Sequence, residues 1–155
     1  MKRLLPLLLF AVLAFAACQK NNSNDEQPTQ LIFGKSYGEC VGNCATLYKV
    51  YNGQLYPDNL SYFYYGGELK FSNTSLSNEK YNIAKQLLDN FPAYLKNLSD
   101  SSFGCPDCHD QGAIYIQFSE KGVIKKWNID PVESRQPDEI KAYIQQLNAV
   151  MTQLQ

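Results

Sequence analysis

The sequence predicts an α+β fold: an antiparallel sheet built from hairpins, with two helices packed on one face. In the first half of the chain, short runs rich in aromatic and branched apolar residues are separated by glycine and asparagine, as strands are by their turns. Two later segments repeat apolar residues every three or four positions, which is typical of amphipathic helices. Such helices bury their apolar stripe against a sheet, so strands and helices belong to one layered domain.

The clearest predicted hairpin turns at Asn52-Gly53. This dipeptide accepts the positive φ angles of a tight turn, and it joins Thr46–Tyr51 to Gln54–Tyr56. Paired glycines at positions 66 and 67 indicate a second turn. The strands on either side of that turn are predicted over Ser61–Tyr65 and Glu68–Phe71. Two consecutive hairpins predict an antiparallel sheet.

A helix is predicted to follow from Asn78. Its apolar residues recur at helical spacing, and Pro92 is expected to end or kink it because proline lacks a backbone donor. The stripe consists of Tyr81, Ile83, Ala84, Leu87, Leu88 and Phe91. Strand signals then return in residues 114–118, which alternate apolar and polar positions, and in Val123–Ile129 after Lys121-Gly122. These two segments predict a third hairpin.

The second helix has the most regular periodicity in the chain. Pro137 precedes Asp138 and Glu139, and acidic residues in a first turn interact favourably with the helix dipole. The apolar stripe is formed by Ile140, Tyr143, Ile144, Leu147, Val150, Met151 and Leu154. The order of strands, helix, hairpin and helix gives the α+β class.

The first 17 residues have the organisation of a secretory signal. Lys2 and Arg3 precede an apolar run that is too short to predict a transmembrane helix. The stretch FAAC, which ends at Cys18, resembles the lipobox of bacterial lipoproteins, with Phe15 where leucine is usual. The resemblance implies that Cys18 is acylated and anchors the chain in the cell envelope, in the outer membrane of a Gram-negative bacterium. The alternative is an ordinary secretory signal that leaves Cys18 as a free thiol.

Residues 18–30 are predicted to be a disordered tether, because residues 19–30 carry no apolar side chain except Pro28. Residues 31–155 then form a single domain, which is long enough for one core. Removal of residues 1–17 leaves twelve basic and fifteen acidic residues, a formal charge of −3. Such a chain has no basic field for phosphate contacts, so no nucleic-acid partner is expected.

Four further cysteines form two close pairs, Cys40 with Cys44 and Cys105 with Cys108. An even number of cysteines in an exported chain favours disulfides, and four cysteines permit three connectivities. The short spacing within each pair favours local pairing. We therefore predict two local disulfides, each bracing a loop that leads into a strand, and no bound metal or cofactor.

Three other interpretations of these cysteines stay open. Cys105-Pro-Asp-Cys108-His109 matches the C-x-x-C-H motif of covalent haem attachment, although cytochromes c carry it on a helix and here a strand follows. The C-P-x-C segment also resembles motifs of the thioredoxin family, which implies thiol–disulfide exchange. The C-x3-C and C-x2-C spacings, with His109 as a substitute ligand, are compatible with zinc.

Two segments resemble uncharacterised proteins of Gram-negative bacteria. Gly38–Cys44, followed by an alternating strand, is similar to the opening of secreted domains. Gly104–Gly112 is similar to a G-C-P-D-C-x-D-G-G segment of envelope lipoproteins, with Gln111 where a glycine is expected. The resemblance covers about a third of the chain and implies no activity.

Tyrosines are concentrated near the predicted sheet. Seven of the eleven fall within 29 residues: Tyr37, Tyr48, Tyr51, Tyr56, Tyr62, Tyr64 and Tyr65. Rings on the sheet face away from the helices are candidates for a platform that binds a protein, a peptide or a carbohydrate, and half-buried packing is the alternative. Trp127 is expected in the core.

The candidate chemistry favours a protein that is not an enzyme. The chain has a single histidine, and it lacks a G-x-S-x-G motif. We expect a lipid-anchored envelope protein that acts as a non-catalytic binding or structural module. The alternative is an envelope redox protein that uses Cys105, Cys108 and His109.

Overall fold

The strands form one six-stranded sheet with the order β3-β2-β1-β5-β6-β4 in the residues that the computed structural model describes, 28–38, 40–60 and 68–155. The strands are β1 (Gln30–Ser36), β2 (Ala45–Tyr51), β3 (Gln54–Pro57), β4 (Ser101–Phe103), β5 (Ala113–Glu120) and β6 (Val123–Ile129). The helices are α1 (Asn78–Asp89), α2 (Ala93–Asn97) and α3 (Asp138–Leu154), and a 3-10 turn spans Glu133–Arg135. This is the predicted α+β class.

Two of the predicted hairpins are confirmed. Asn52 and Gly53 adopt φ angles of 49° and 71° between β2 and β3, as a tight turn requires. Lys121 and Gly122 do the same between β5 and β6, with φ angles of 53° and 78°. The sheet is therefore assembled largely from local antiparallel pairs.

The second predicted hairpin lacks its second strand, which is the part of it that the structure describes. Residues 68–70 form no strand, and Phe71 makes a single bridge to Asp58, while Ser61–Tyr65 lies outside the described residues. The Asp58 carboxylate accepts hydrogen bonds from the backbone N–H groups of Leu47 (2.7 Å) and Leu60 (3.3 Å). These bonds hold the chain at the end of β3 beside β2 and turn it away from a continuing ladder.

The centre and one edge of the sheet come from strands that the periodicity does not reveal. β1 pairs antiparallel with both β2 and β5, so a segment next to the predicted tether is a central strand. β4 has only three residues and pairs parallel with β6, which makes the sheet mostly rather than wholly antiparallel. As predicted, the helix does not continue through Pro92: α1 ends at Asp89, and the short α2 begins directly after this proline.

Both long helices pack on one face of the sheet. α1 starts at Ser77, whose hydroxyl accepts from the Lys80 N–H, and α3 starts after Pro137 with Asp138 and Glu139 in its first turn. The main core is lined by Leu31, Phe33, Val50, Leu55, Ile114, Ile116, Phe118, Trp127 and Ile129 from the sheet and by Ala84, Leu87, Ile140, Tyr143, Ile144, Leu147, Val150 and Met151 from the helices. Trp127 is fully buried, as expected.

A smaller cluster covers part of the opposite face, which we call the outer face. It contains Ile32, Cys44, Ala45, Leu47, Leu60 and Tyr115, with Leu69 and Phe71 packed against them. In the described part of the chain, no helix combines the length and the apolar character needed to cross a bilayer.

Candidate functional site

The four domain cysteines form two local disulfides, as predicted. Cys40 is bonded to Cys44 with a Cα to Cα distance of 5.7 Å, and Cys105 is bonded to Cys108 with a distance of 5.5 Å. Each disulfide closes a loop directly before a strand, β2 in the first case and β5 in the second. Cys18 lies outside the described residues.

The two disulfide loops lie side by side at one end of the sheet. The Asp107 carboxylate joins them, because it accepts from the N–H of Gly38 in one loop and from the N–H of Gly112 (2.8 Å) in the other. Gly112 has a φ of 76°, and a Cβ there would lie 2.6 Å from the Tyr37 ring. We call residues 37–38, 40–44 and 105–112 the disulfide rim. One carboxylate and one glycine thus fix the two loops against each other.

The C-P-D-C-H segment has a geometry that differs from the redox motifs it resembles. Residues 106–109 form a turn, and β5 follows at Ala113. In thiol–disulfide exchange motifs, by contrast, a helix N-terminus lowers the pKa of the reactive thiol. Cys105 and Cys108 are both exposed. His109 is exposed, and its backbone N–H donates to the Gln111 side chain (2.7 Å).

The two disulfides also affect the interpretation of the four cysteines as zinc ligands. All four thiols that a four-cysteine zinc site would need are in disulfides, and a cysteine ligand must be a thiolate. Within residues 28–38, 40–60 and 68–155, no group of three or more histidine, cysteine, aspartate or glutamate side chains is placed to hold a metal ion.

The described tyrosines divide between core and surface. Tyr48 is buried on the helix face, and burial, with a smaller contribution from Asp58, raises its pKa. Tyr37 is exposed on the disulfide rim, and Tyr51 and Tyr56 are half-buried on the outer face. Tyr62, Tyr64 and Tyr65 lie outside the described residues. An aromatic surface therefore exists on the outer face, beside packed tyrosines.

Lys49 stands at the centre of this aromatic surface. Its Nζ lies 4.8 Å from the centroid of the Phe71 ring, 5.0 Å from that of Tyr56 and 5.9 Å from that of Tyr51. Lys49 and Tyr56 are cross-strand partners, and Tyr51 is two residues along the same strand, so sheet register brings the group together. Cation–π attraction by three rings holds the ammonium group in place on the outer face.

A groove of about 360 Å³ runs across the outer face next to Lys49. Its floor follows one row of the sheet, in which Lys49, Ile32, Gln117 and Lys126 are successive cross-strand partners on β2, β1, β5 and β6. Gln30, Glu68, Leu69 and Phe71 complete the lining. We call this site the outer-face groove.

A hydrogen bond orients the Gln117 side chain in the groove. Its Oε1 accepts from the Tyr115 hydroxyl at 2.9 Å. Burial, and to a lesser extent the charge of Asp100, raises the pKa of Tyr115 to about 12, so this hydroxyl stays a donor at neutral pH. Gln117 is only 8% exposed, but it lines the groove, and its amide Nε2 is the donor of this side chain.

The outer-face groove contains residues that the sequence analysis did not select. Gln30, Ile32, Gln117 and Lys126 were not candidates, because they come from β1, β5 and β6, which are consecutive in the sheet, whereas Gln30 and Lys126 are 96 residues apart in sequence. A weak signal was present in β5, where Gln117 interrupts the run of apolar and aromatic residues from Ala113 to Phe118. Comparison with family models, with curated proteins and with solved structures gives no match.

Proposed function

We propose that this protein is a lipid-anchored module of the bacterial cell envelope that binds an acidic saccharide, without catalysis, in the outer-face groove. The anchor is supported by the apolar leader that ends in FAAC, with Cys18 as the acylated residue. Two disulfides support an oxidising location outside the cytosol.

The row of side chains along the groove indicates that the ligand is acidic and rich in hydroxyl groups. Lys49 and Lys126 stand at its two ends with the Gln117 amide between them, and Glu68 is the one acidic residue of the described lining. The groove therefore has a positive balance in a chain whose predicted mature charge is −3. Ammonium and amide donors of this kind bind carboxylate and hydroxyl groups.

A saccharide fits this groove better than a peptide strand. Extended peptides bind sheets mainly through the free backbone groups of an edge strand. The floor of the groove lies over β1 and β5, each of which is paired on both sides, so these two strands offer only side chains to a ligand. Polar side chains next to the apolar Phe71 ring match a molecule that has hydroxyl groups on its rim and CH groups on its face.

Replacement of Lys126 tests the groove. We expect Lys126→Gln to weaken binding of a galacturonate trisaccharide about tenfold, because a hydrogen bond to a charged group contributes about 1.5 kcal/mol. Isothermal titration calorimetry on the full mature chain in detergent measures the dissociation constant. Lys125→Gln is the matched control, because it removes the same charge from the neighbouring residue, whose side chain lies on the helix face.

Three probes separate the outcomes. Neutral maltotriose should bind more weakly than the galacturonate trisaccharide, and added salt should weaken only the acidic ligand. Binding of triglutamate in preference to the saccharide would replace the ligand class by acidic peptides. Equal loss of affinity in the Lys125 and Lys126 variants, or no binding of any of the three probes, would contradict the outer-face groove as a ligand site.

The anchor is tested at Cys18. We expect the wild-type protein to partition into detergent and to carry acyl mass on Cys18, because each buried methylene of an acyl chain contributes about 0.8 kcal/mol to membrane binding. Cys18→Ser should remove the acyl mass and give a soluble or uncleaved form. Phase partition and mass spectrometry of the mature N-terminal peptide measure both effects. Identical fractionation of the two proteins would show that Cys18 is not the anchor.

A further inference from the structure

The end of the sheet at which the anchor enters the domain is fixed by strand register. β1 begins at Gln30, and Gln30 is the partner of Ser119 near the end of β5. The β5–β6 turn at Lys121-Gly122 therefore lies beside the point where residues 18–29 join the sheet. The disulfide rim is at the other end, where Ser36 is the partner of Ala113.

The tip of the β5–β6 hairpin exposes two large apolar residues. Val123 is 59% exposed and Ile124 is 54% exposed, although both are branched residues of a type that is usually buried. Because they are consecutive in a strand, they lie on opposite faces of the hairpin. We call residues 120–124 the hairpin tip. An apolar group on each face makes it suitable for insertion among other apolar groups.

Lysines surround this tip. Lys96, Lys121 and Lys125 line a groove of about 240 Å³ together with Phe118, and Lys126 follows in β6. Two acids are also present: Glu120 pairs with Lys96 at 3.4 Å, and the Asp100 carboxylate accepts from the Lys126 N–H. The lining of the groove at the tip thus contains three lysines and one acid, a formal balance of +2, against −3 for the predicted mature chain.

We propose that the hairpin tip and its lysines dock on the anionic bilayer surface that holds the lipid on Cys18. The proposal rests on the anchor of the proposed function. Exposed apolar residues beside lysines match the two layers of such a surface, acyl chains below and phosphate groups above. Twelve residues, 18–29, reach at most about 40 Å when fully extended, so the anchor keeps the tip close to the membrane. The high effective concentration makes even a weak contact sufficient.

This docking would give the domain a defined orientation. The seven residues of β1 span about 23 Å, so with the strands perpendicular to the membrane the disulfide rim would stand about that far from the bilayer. The fully exposed Val41 and the exposed His109 would then be at the end that faces away from the membrane. The outer-face groove would lie between the two ends, on the side of the sheet.

Lysine footprinting on the lipidated full-length mature protein tests the proposal. The protein is reconstituted into vesicles of phosphatidylethanolamine and phosphatidylglycerol, into neutral phosphatidylcholine vesicles and into detergent micelles, and floated vesicles are treated with a lysine-acylating reagent. We expect modification of Lys121 to be at least about threefold slower in the anionic vesicles than in the other two, and high salt to restore it. Lys35, in the half of β1 near the disulfide rim, is the internal reference.

The double variant Val123→Ser and Ile124→Ser should float normally while it loses most of the protection of Lys121. Protein that floats with Lys121 as reactive as in micelles would overturn the docking and leave the anchor intact. Protection that is equal in neutral vesicles and grows with protein density would overturn it in favour of contact between copies. Protein that carries no acyl group and does not float would instead overturn the anchor itself.

Discussion

Replacing Gly34 by alanine should destabilise the fold more than the same substitution at any other described glycine. Gly34 lies in the middle of the central strand β1, and a Cβ there would be 2.0 Å from the backbone oxygen of Thr46 and 2.9 Å from the Cα of Leu47. Both atoms belong to the backbone of β2, so relief requires the two strands to separate. We expect Gly34→Ala to lower the free energy of unfolding by more than about 4 kcal/mol.

Gly53→Ala is the matched control for this substitution. Both glycines have a positive φ, 155° at Gly34 and 71° at Gly53, but a Cβ at Gly53 has no neighbouring heavy atom within 4 Å. It should therefore lose only the backbone term of about 1–2 kcal/mol. Urea denaturation followed by circular dichroism measures both variants. Equal losses at the two positions would show that backbone conformation, and not close strand approach, determines the requirement for glycine at position 34.

Gly34 also explains why the central strand was missed. A glycine inside QLIFGKS suggests a turn or a break, and the preceding residues have the composition of a tether. β1 is a strand because β2 and β5 supply partners on both sides, and that information lies up to 89 residues away in sequence. The local hairpins at Asn52-Gly53 and Lys121-Gly122 were predictable because turn and strands are adjacent. The three-residue β4 has too little pattern to be predicted.

The candidate sites likewise differ in whether local sequence is enough to predict them. Local disulfides followed from the spacing of Cys40 and Cys44 and of Cys105 and Cys108, since short loops bring these thiols together without help from the fold. The outer-face groove did not follow, because it is a cross-strand row and becomes visible only when the register is known. The role of Asp107 also becomes visible only in the structure, where its carboxylate joins the two disulfide loops.

Asp130 connects the sheet to the disulfide rim through a buried carboxylate. Its side chain is completely buried at the end of β6, and it accepts hydrogen bonds from the N–H groups of Cys105 and Val132, both at 2.9 Å. The Arg135 guanidinium lies 3.1 Å from the same carboxylate. Burial opposes ionisation, but the bonds from Val132, Cys105 and Arg135 outweigh it and lower the pKa of Asp130. The ionised carboxylate is thus the form that holds the start of the Cys105 loop.

Removal of this carboxylate should have the second large effect. We expect Asp130→Ala to lower the free energy of unfolding by about 3 kcal/mol or more, because it leaves two backbone donors without their acceptor. Asp130→Asn keeps the shape and removes the charge, so it remains measurable if the alanine variant fails to fold. Asp138→Asn is the control: this exposed carboxylate pairs with Lys141 at 2.6 Å, and its loss should change stability little.

The pH dependence identifies the ionised form as the stabilising one. The pKa of Asp130 is lower in the folded protein than its ordinary value, which is about 3.9 in an unfolded chain. Its contribution is therefore complete above that value and is lost as the pH falls through the folded-state pKa. The difference in free energy of unfolding between wild type and Asp130→Asn should stay constant from about pH 8 to about pH 5 and shrink below about pH 4. A difference that stays constant or grows in acid would mean that the charge on Asp130 does not hold the Cys105 loop.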